Sequence, residues 1–158
     1  LDVHLMITEP EKSIDQWLIK PVKRAIVHIE AMSDPELIVK KCRDAGVEIG
    51  FAVNPETLWE QLRPWFKKVD ILQTLNVHPG SSGQKAFWPE TLQKIGHIRK
   101  SCPSCIIEVD GGVNPETAKK AVLAGANLLV VGNYIFSAKD IKKAIETLRS
   151  EILRSRAS

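Results

Sequence analysis

Polar side chains stand at the ends of the chain's apolar runs, which is where chemistry is most easily displayed. They are His4, His28 with Glu30, Asn76 with His78, Asp110, and Gly132 with Asn133. Histidines and carboxylates are the usual general acid–base groups and ligands for divalent metals. Asp110 closes the apolar run Ile106–Val109 and is followed by Gly111-Gly112. A buried carboxylate is costly unless it is paired or metal-bound, so its position argues for a role. His4 could serve as a metal ligand or base, or could be a hydrogen-bonded core histidine. His28-Ile29-Glu30 places a histidine and a glutamate on one face of a strand, as a binding pair or as a polar pair at a rim.

Three loops carry glycine at successive run ends: "HPGSSGQ" from His78, "VDGGVN" from Val109 and "VVGNYIF" from Val130. Glycines let backbone N–H groups approach an anion, and a following helix N-terminus adds a favourable dipole. Residues 76–88 then read as a phosphate-side loop and lid. Trp88 lies in that loop, whereas Trp17, Trp59 and Trp65 sit on helical stretches and read as packing residues. "CPSC" (Cys102–Cys105) precedes a strand, at the opposite end from the other groups. One such pair supplies two of the four ligands of a structural zinc, so it is read as neither a zinc nor a redox site.

These residues need elements to hold them. Strands are expected at Asp2–Ile7, Ala25–Ile29, Glu48–Val53, Ile71–Val77, Ile106–Val109 and Asn127–Val131. Helices are expected at Ser13–Ile19, Pro35–Asp44, Pro55–Trp65, Pro89–Lys100, Pro115–Ala124 and Ala138–Arg154, with a polar tail over 150–158 that frays. The strands are rich in Val and Ile without strict alternation, as when both faces are covered. The pentapeptide "VNPET" occurs at Val53–Thr57 and again at Val113–Thr117. In each, Asn can cap a helix whose first position Pro takes. Six βα units follow, compatible with an open doubly wound sheet or with a (β/α)8 barrel short of two units; a complete barrel takes about 250 residues. Either fold puts the chemistry at the C-terminal strand ends.

The composition is that of a globular domain, 44% hydrophobic and 26% charged, with a net charge of +3 in 158 residues. No basic run suggests nucleic acid. No apolar stretch approaches the roughly 20 residues of a membrane span. Three cysteines suit a reducing, cytoplasmic setting. The chain opens with Leu1, inside an expected strand, and so reads as a fragment.

"LDVHLMITEP", "VHIEA", "HPGSSGQKAF", "VDGGVNPETA" and "AGANLLVVGNYIF", in this order over residues 1–149, resemble the ribulose-phosphate 3-epimerase family. The resemblance implies a phosphate-binding TIM-type (β/α)8 barrel lacking its first two βα units. It implies a divalent metal (zinc, iron(II) or manganese) held by two histidines and two aspartates. His4 and Asp110 match two of these; the other pair belongs to the family's second strand. Asp110 also matches one of two acid/bases for epimerisation at C3 of a ketopentose phosphate, D-ribulose 5-phosphate to D-xylulose 5-phosphate, through an enediolate. Substrate contacts map onto His4, Met6, Gly80, Ser81, Ser82, Gly83, Gly111, Gly112, Gly132 and Asn133. The 158 residues alone are then expected to be inactive or nearly so.

There are departures. The family's usual Met-Thr-Val-Glu-Pro-Gly-Phe-Gly-Gly-Gln reads here Leu75-Asn76-Val77-His78-Pro79-Gly80-Ser81-Ser82-Gly83-Gln84, and the usual Gly-Ser after the last strand is Gly132-Asn133. Serine and asparagine still donate to phosphate. The alternatives are an epimerase for another ketose phosphate and a non-catalytic sugar-phosphate-binding domain. A decarboxylase or aldolase would call for a lysine at a strand end, and none is found. A sugar phosphate is the expected partner, nucleic acid and membrane are not, and self-association is left open.

Overall fold

The computed structural model describes residues 1–80 and 89–157. Six parallel strands form one sheet: β1 (Asp2–Leu5), β2 (Arg24–His28), β3 (Glu48–Val53), β4 (Ile71–Leu75), β5 (Ile106–Asp110) and β6 (Leu128–Val130). Each strand pairs with the next in sequence, β1-β2-β3-β4-β5-β6. A doubly wound sheet reverses its strand order at a switch point. This sheet never does, so it is wound in one direction, as a (β/α)8 barrel is. It is also curled. His4 on β1 lies 3.4 Å from Asp110 on β5, although four inter-strand steps would span roughly 19 Å in a flat sheet.

Alternation along the strands sorts the side chains onto two faces. The convex face carries Ala25, Val27, Ile49, Phe51, Leu72, Ile107 and Val109. These pack with Ile38, Cys42, Leu62, Ile95, Ile98, Ala118, Ala121 and Leu148 as the main core. The concave face carries a small apolar cluster of Ile26, Ala52 and Leu75, and around it the polar residues of the site. Gly50 leaves room on that face, since a Cβ there would lie 3.0 Å from Ile26 Cγ1. At the N-terminal rim Arg24 clasps three strands, donating to Asp2 at 2.8 Å and to Glu48 at 2.6 and 2.9 Å.

The helices are α1 (Pro35–Asp44), α2 (Pro89–Ser101), α3 (Pro115–Ala124), α4 (Asn133–Phe136) and α5 (Ile141–Ala157). Two expected α-helices are replaced by tighter 3₁₀ turns. Ser13–Ile19 becomes short turns at Pro10–Lys12 and Ile14–Gln16. Glu11 there accepts from the backbone N–H groups of Ser33 and Asp34 at the start of α1, which ties the segment to the next unit. Pro55–Trp65 becomes a 3₁₀ helix over Trp59–Trp65. The carbonyls of Asn54 and Pro55 accept from Lys94 Nζ at 2.8 and 3.0 Å, and Asn54 O also accepts from Thr57 N–H at 3.2 Å in a turn that no helix continues. The stretch expected to fray continues α5 to Ala157, with Ile152 packed on the core. Cys102 and Cys105 form a disulfide, and Cys42 is buried and free. The composition had pointed to reduced cysteines; adjacency in the turn after α2 brings this pair together.

Candidate active site

Asp110 is the last residue of β5, and the chain turns immediately after it. Gly111 has φ +102° and Gly112 φ +64°. A Cβ on Gly111 would lie 2.6 Å from Val77 Cγ2, so the turn needs glycine on both counts. Asn76, fully buried, braces the turn. Its backbone N–H donates to Asp110 O at 2.8 Å, and its Nδ2 donates to Gly111 O at 3.0 Å. The first amides of α3 are already used: Asn114 Oδ1 accepts from Glu116 and Thr117, and Thr117 Oγ1 accepts from Asn114 N–H in return. A phosphate at this strand end would meet the glycine turn and not the α3 terminus.

His4 Nδ1, Asp110 Oδ2 and Gln73 Nε2 converge on the concave face. The His4–Asp110 distance is 3.4 Å, Gln73 donates to Asp110 at 3.2 Å, and Gln73 Nε2 lies 3.3 Å from His4 Nδ1. The other edge of the His4 ring meets His28, Nε2 to Nε2, at 2.9 Å. His28 Nδ1 in turn lies 3.5 Å from Glu30 Oε2, an ion-pair distance too long for a good hydrogen bond. The Nε2–Nε2 contact takes a hydrogen from one of the two rings, and His4 Nδ1 faces Asp110 Oδ2 and Gln73 Nε2.

Glu30 anchors this chain of rings. It lies in a 3₁₀ turn (Ile29–Ala31) just past β2, not on the strand where the sequence placed it. Burial opposes its charge. The His28 imidazole, the Thr57 hydroxyl and the Asn54 N–H outweigh that cost and hold its carboxyl down to about 2. Glu108 is the opposite case. It is buried two residues before Asp110, and burial, abetted by Asp110 and Asp2 and opposed by Arg24, pushes its carboxyl up to about 7. His4, Gln73, Glu108 and Asp110 share a cavity of about 330 Å³ with Ile26 and β6.

The structure thus joins His4 and Asp110, as expected. It adds His28 and Glu30, which the sequence had singled out without a role. Gln73 and Glu108 were missed. Their signal was present, as lone polar residues on buried runs, "ILQTL" and "IIEVD". Met6 follows β1, and its Sδ accepts from Gly80 N–H at 3.2 Å, which brings the loop after β4 over to β1. Gly132 precedes the short α4 with φ −96°, which other residues could adopt, and Asn133 Oδ1 accepts from Ser137. His78 lies 3.6 Å from Glu56. Ser81, Ser82, Gly83 and Trp88 lie outside the described residues. Among the described residues no group of three or more His, Cys, Asp or Glu side chains could hold a metal. The donor pair His4 Nδ1 and Asp110 Oδ2 nevertheless has the chemistry that zinc, iron(II) and manganese accept.

A sequentially wound parallel sheet with a histidine–aspartate pair and a glycine turn at its C-terminal strand ends defines a barrel-type α/β protein built to act there on a small ligand. Solved structures agree on the fold. The chain superposes on a KGPDC from Streptococcus mutans with a TM-score of 0.72 at 14% identity, over 97% of this chain and 71% of that one. It superposes on 3-hexulose-6-phosphate synthase from Salmonella typhimurium with a TM-score of 0.71 at 19% identity, over 98% and 73%. The family model for the ribulose-phosphate 3 epimerase family matches residues 1–136, and the chain belongs to that family. Ribulose-phosphate 3-epimerase of Schizosaccharomyces pombe is 36% identical over 98% of this chain and 67% of its own length. That of Bacillus subtilis is 38% identical over 94% and 70%. The chloroplastic ribulose-5-phosphate-3-epimerase of Arabidopsis thaliana is 36% identical over 95% and 55%. The chain spans about two thirds of the length of the first curated relatives it matches.

Proposed function

We propose that this protein interconverts D-ribulose 5-phosphate and D-xylulose 5-phosphate by moving a proton at C3 through an enediolate. The observation that carries this reading is Asp110: a partly exposed carboxylate, held at Oδ2 by Gln73, beside His4, and followed at once by a glycine turn. Family membership supports the same reading. Asp110 takes or returns the C3 proton on one face of the sugar; a second acid/base is required on the other face. His4 Nδ1 and Asp110 Oδ2 would hold a divalent ion. Such an ion, when bound, polarises the C2 carbonyl and offsets the charge that builds on the enediolate oxygens. Without the ion, Gln73 Nε2 fixes the rotation of the Asp110 carboxylate. The His28–Glu30 couple fixes the orientation of the His4 ring. Gly111 and Gly112 receive the phosphate through their backbone, with Met6, Gly80, Gly132 and Asn133 around the sugar phosphate. No helix among the described residues is long and apolar enough to cross a membrane.

The test is exchange of the C3 proton of D-ribulose 5-phosphate in D₂O with added zinc, iron(II) or manganese. Exchange is expected from a protein that also carries the family's second-strand His and Asp, and is expected to be absent or nearly so from these 158 residues alone. In the former, Asp110→Asn is expected to slow it by about 10²- to 10⁴-fold, the usual contribution of a positioned acid/base. Undiminished exchange in Asp110→Asn would remove this carboxylate from the chemistry. Sugar-phosphate binding with no exchange at all would favour a non-catalytic binding domain.

A further inference from the structure

Gln73 is an odd residue for its place. It lies in the middle of β4, all five of whose residues are buried, and is itself fully buried. A buried amide is costly unless its polar atoms are matched. Here the matching is poor. Nε2 makes two long contacts, 3.2 Å to Asp110 Oδ2 and 3.3 Å to His4 Nδ1. Oε1 is buried without a hydrogen-bond partner.

The spacing of the three atoms is informative. His4 Nδ1, Asp110 Oδ2 and the amide end of Gln73 form a nearly equilateral triangle with sides of 3.4, 3.3 and 3.2 Å. Donor atoms held about 2.1 Å from one transition-metal ion are about 3.0 Å apart in an octahedron and about 3.4 Å apart in a tetrahedron. The triangle has the size of one face of such a site. Two of its corners already are an imidazole nitrogen and a carboxylate oxygen. The third is an amide, whose oxygen and nitrogen ends have nearly the same shape and exchange by a half-turn about the terminal bond. Gln73 Nε2 now faces His4 Nδ1 and Asp110 Oδ2, where a cation would lie. With a cation there, Oε1 is the end that belongs at the corner.

We propose that Gln73 is a third protein ligand, through Oε1, for a divalent ion held by His4 and Asp110. The inference rests on the metal-dependent reading above and adds to it a residue from the middle of a strand. It also gives a reason for a glutamine at this depth: its amide balances the His4–Asp110 pair without the ion and completes one face of the site with it.

The measurement uses cobalt(II) alone as the probe. Affinity is read by calorimetry and donor number and type by visible absorption, both independent of turnover. Gln73→Leu, of similar size and apolar, is expected to weaken cobalt binding by about 10-fold or more and to change the absorption bands. Gln73→Glu is expected to bind cobalt at least as tightly as the parent, because a carboxylate oxygen takes the same corner with added charge. If Gln73 served only to donate a hydrogen bond to Asp110, Gln73→Glu would set carboxylate against carboxylate and bind more weakly; that result overturns the proposal. Equal affinity and identical spectra for the parent and Gln73→Leu overturn it as well, while leaving the metal-dependent reading intact. A parent protein that binds no cobalt removes both. Should Gln73→Leu not fold, zinc titration of the ¹³C-labelled parent decides the matter. The Gln73 carbonyl-carbon resonance is expected to move with zinc occupancy, and its failure to move while zinc binds sinks the proposal.

Discussion

Glu30 draws together donors from the Asn54–Thr57 segment and from neighbouring His28, and its charge does structural work before any substrate arrives. Asn54 N–H donates to Oε1 at 2.8 Å, the Thr57 hydroxyl donates to the same oxygen, and His28 lies against Oε2. Its carboxyl sits at about 2 when folded, against 4.5 for the ordinary group. A depressed carboxyl stabilises the fold at pH values above the unfolded value and loses that contribution as the folded group is protonated. Stability from Glu30 is therefore present above about pH 4.5 and fades as pH falls toward 2. Glu30→Gln is expected to lower stability at neutral pH by about 1–2 kcal/mol, allowing for its partial exposure. It should also flatten the acid limb of a urea-denaturation series between those pH values. An unchanged acid limb would mean that the three donors do not favour the ionised form. The same variant loosens the hold on His28, and through it the orientation of His4.

One pentapeptide at two sites shows what an element adds to its residues. Val113–Thr117 starts α3 with a full capping box: Asn114 Oδ1 accepts from Glu116 and Thr117, and Thr117 Oγ1 accepts from Asn114 N–H. Val53–Thr57 has the same letters and no helix. There Thr57 Oγ1 donates to Glu30, the two carbonyls that would start the helix accept from Lys94, and Asn54 Oδ1 is buried without a partner. Asn114→Ala is accordingly expected to cost about 1 kcal/mol, the usual value of a cap. Asn54→Ala should cost less, because its side-chain oxygen caps nothing. Urea denaturation of the two variants side by side checks the difference; equal losses would contradict the separate roles.

For the whole molecule, the sheet is most protected at its middle. Every residue of β4, and all of β3 but Glu48, is buried, whereas β6 has no buried residue and β1 has one. The amides of Ile49–Val53 and Ile71–Leu75 are expected to exchange with D₂O last and those of Leu128–Val130 among the first, since local opening follows burial and pairing. Native-state hydrogen exchange measures this. Protection of β6 equal to that of β4 would mean that the curled sheet opens only as a unit. The arrangement suits the site: Gln73 sits in the most protected strand, and the glycine turns sit at the strand ends, where movement costs least.

Residue order alone was enough for the six strands and the glycine turns, because each rests on local chemistry; the pairing of His4 with Asp110 was what the family resemblance implied. Apolar β-branched runs make strands, glycine permits the positive φ at Gly111 and Gly112, and an aspartate closing an apolar run reads as functional. The strand pattern left a doubly wound sheet and a barrel both open, and the family resemblance pointed to the barrel. The choice depends on which strand lies beside which, and the order β1 to β6 without reversal, which bears the barrel out, appears only in the folded sheet. So does the loss of the helix at Pro55, where a lysine from α2 takes the carbonyls. So does the role of Gln73: a glutamine within "ILQTL" looks like a defect in a buried strand until curling of the sheet brings His4, 69 residues away, to within 3.3 Å of its amide. Long-range contacts decide these matters, and they exist only once the chain has closed on itself.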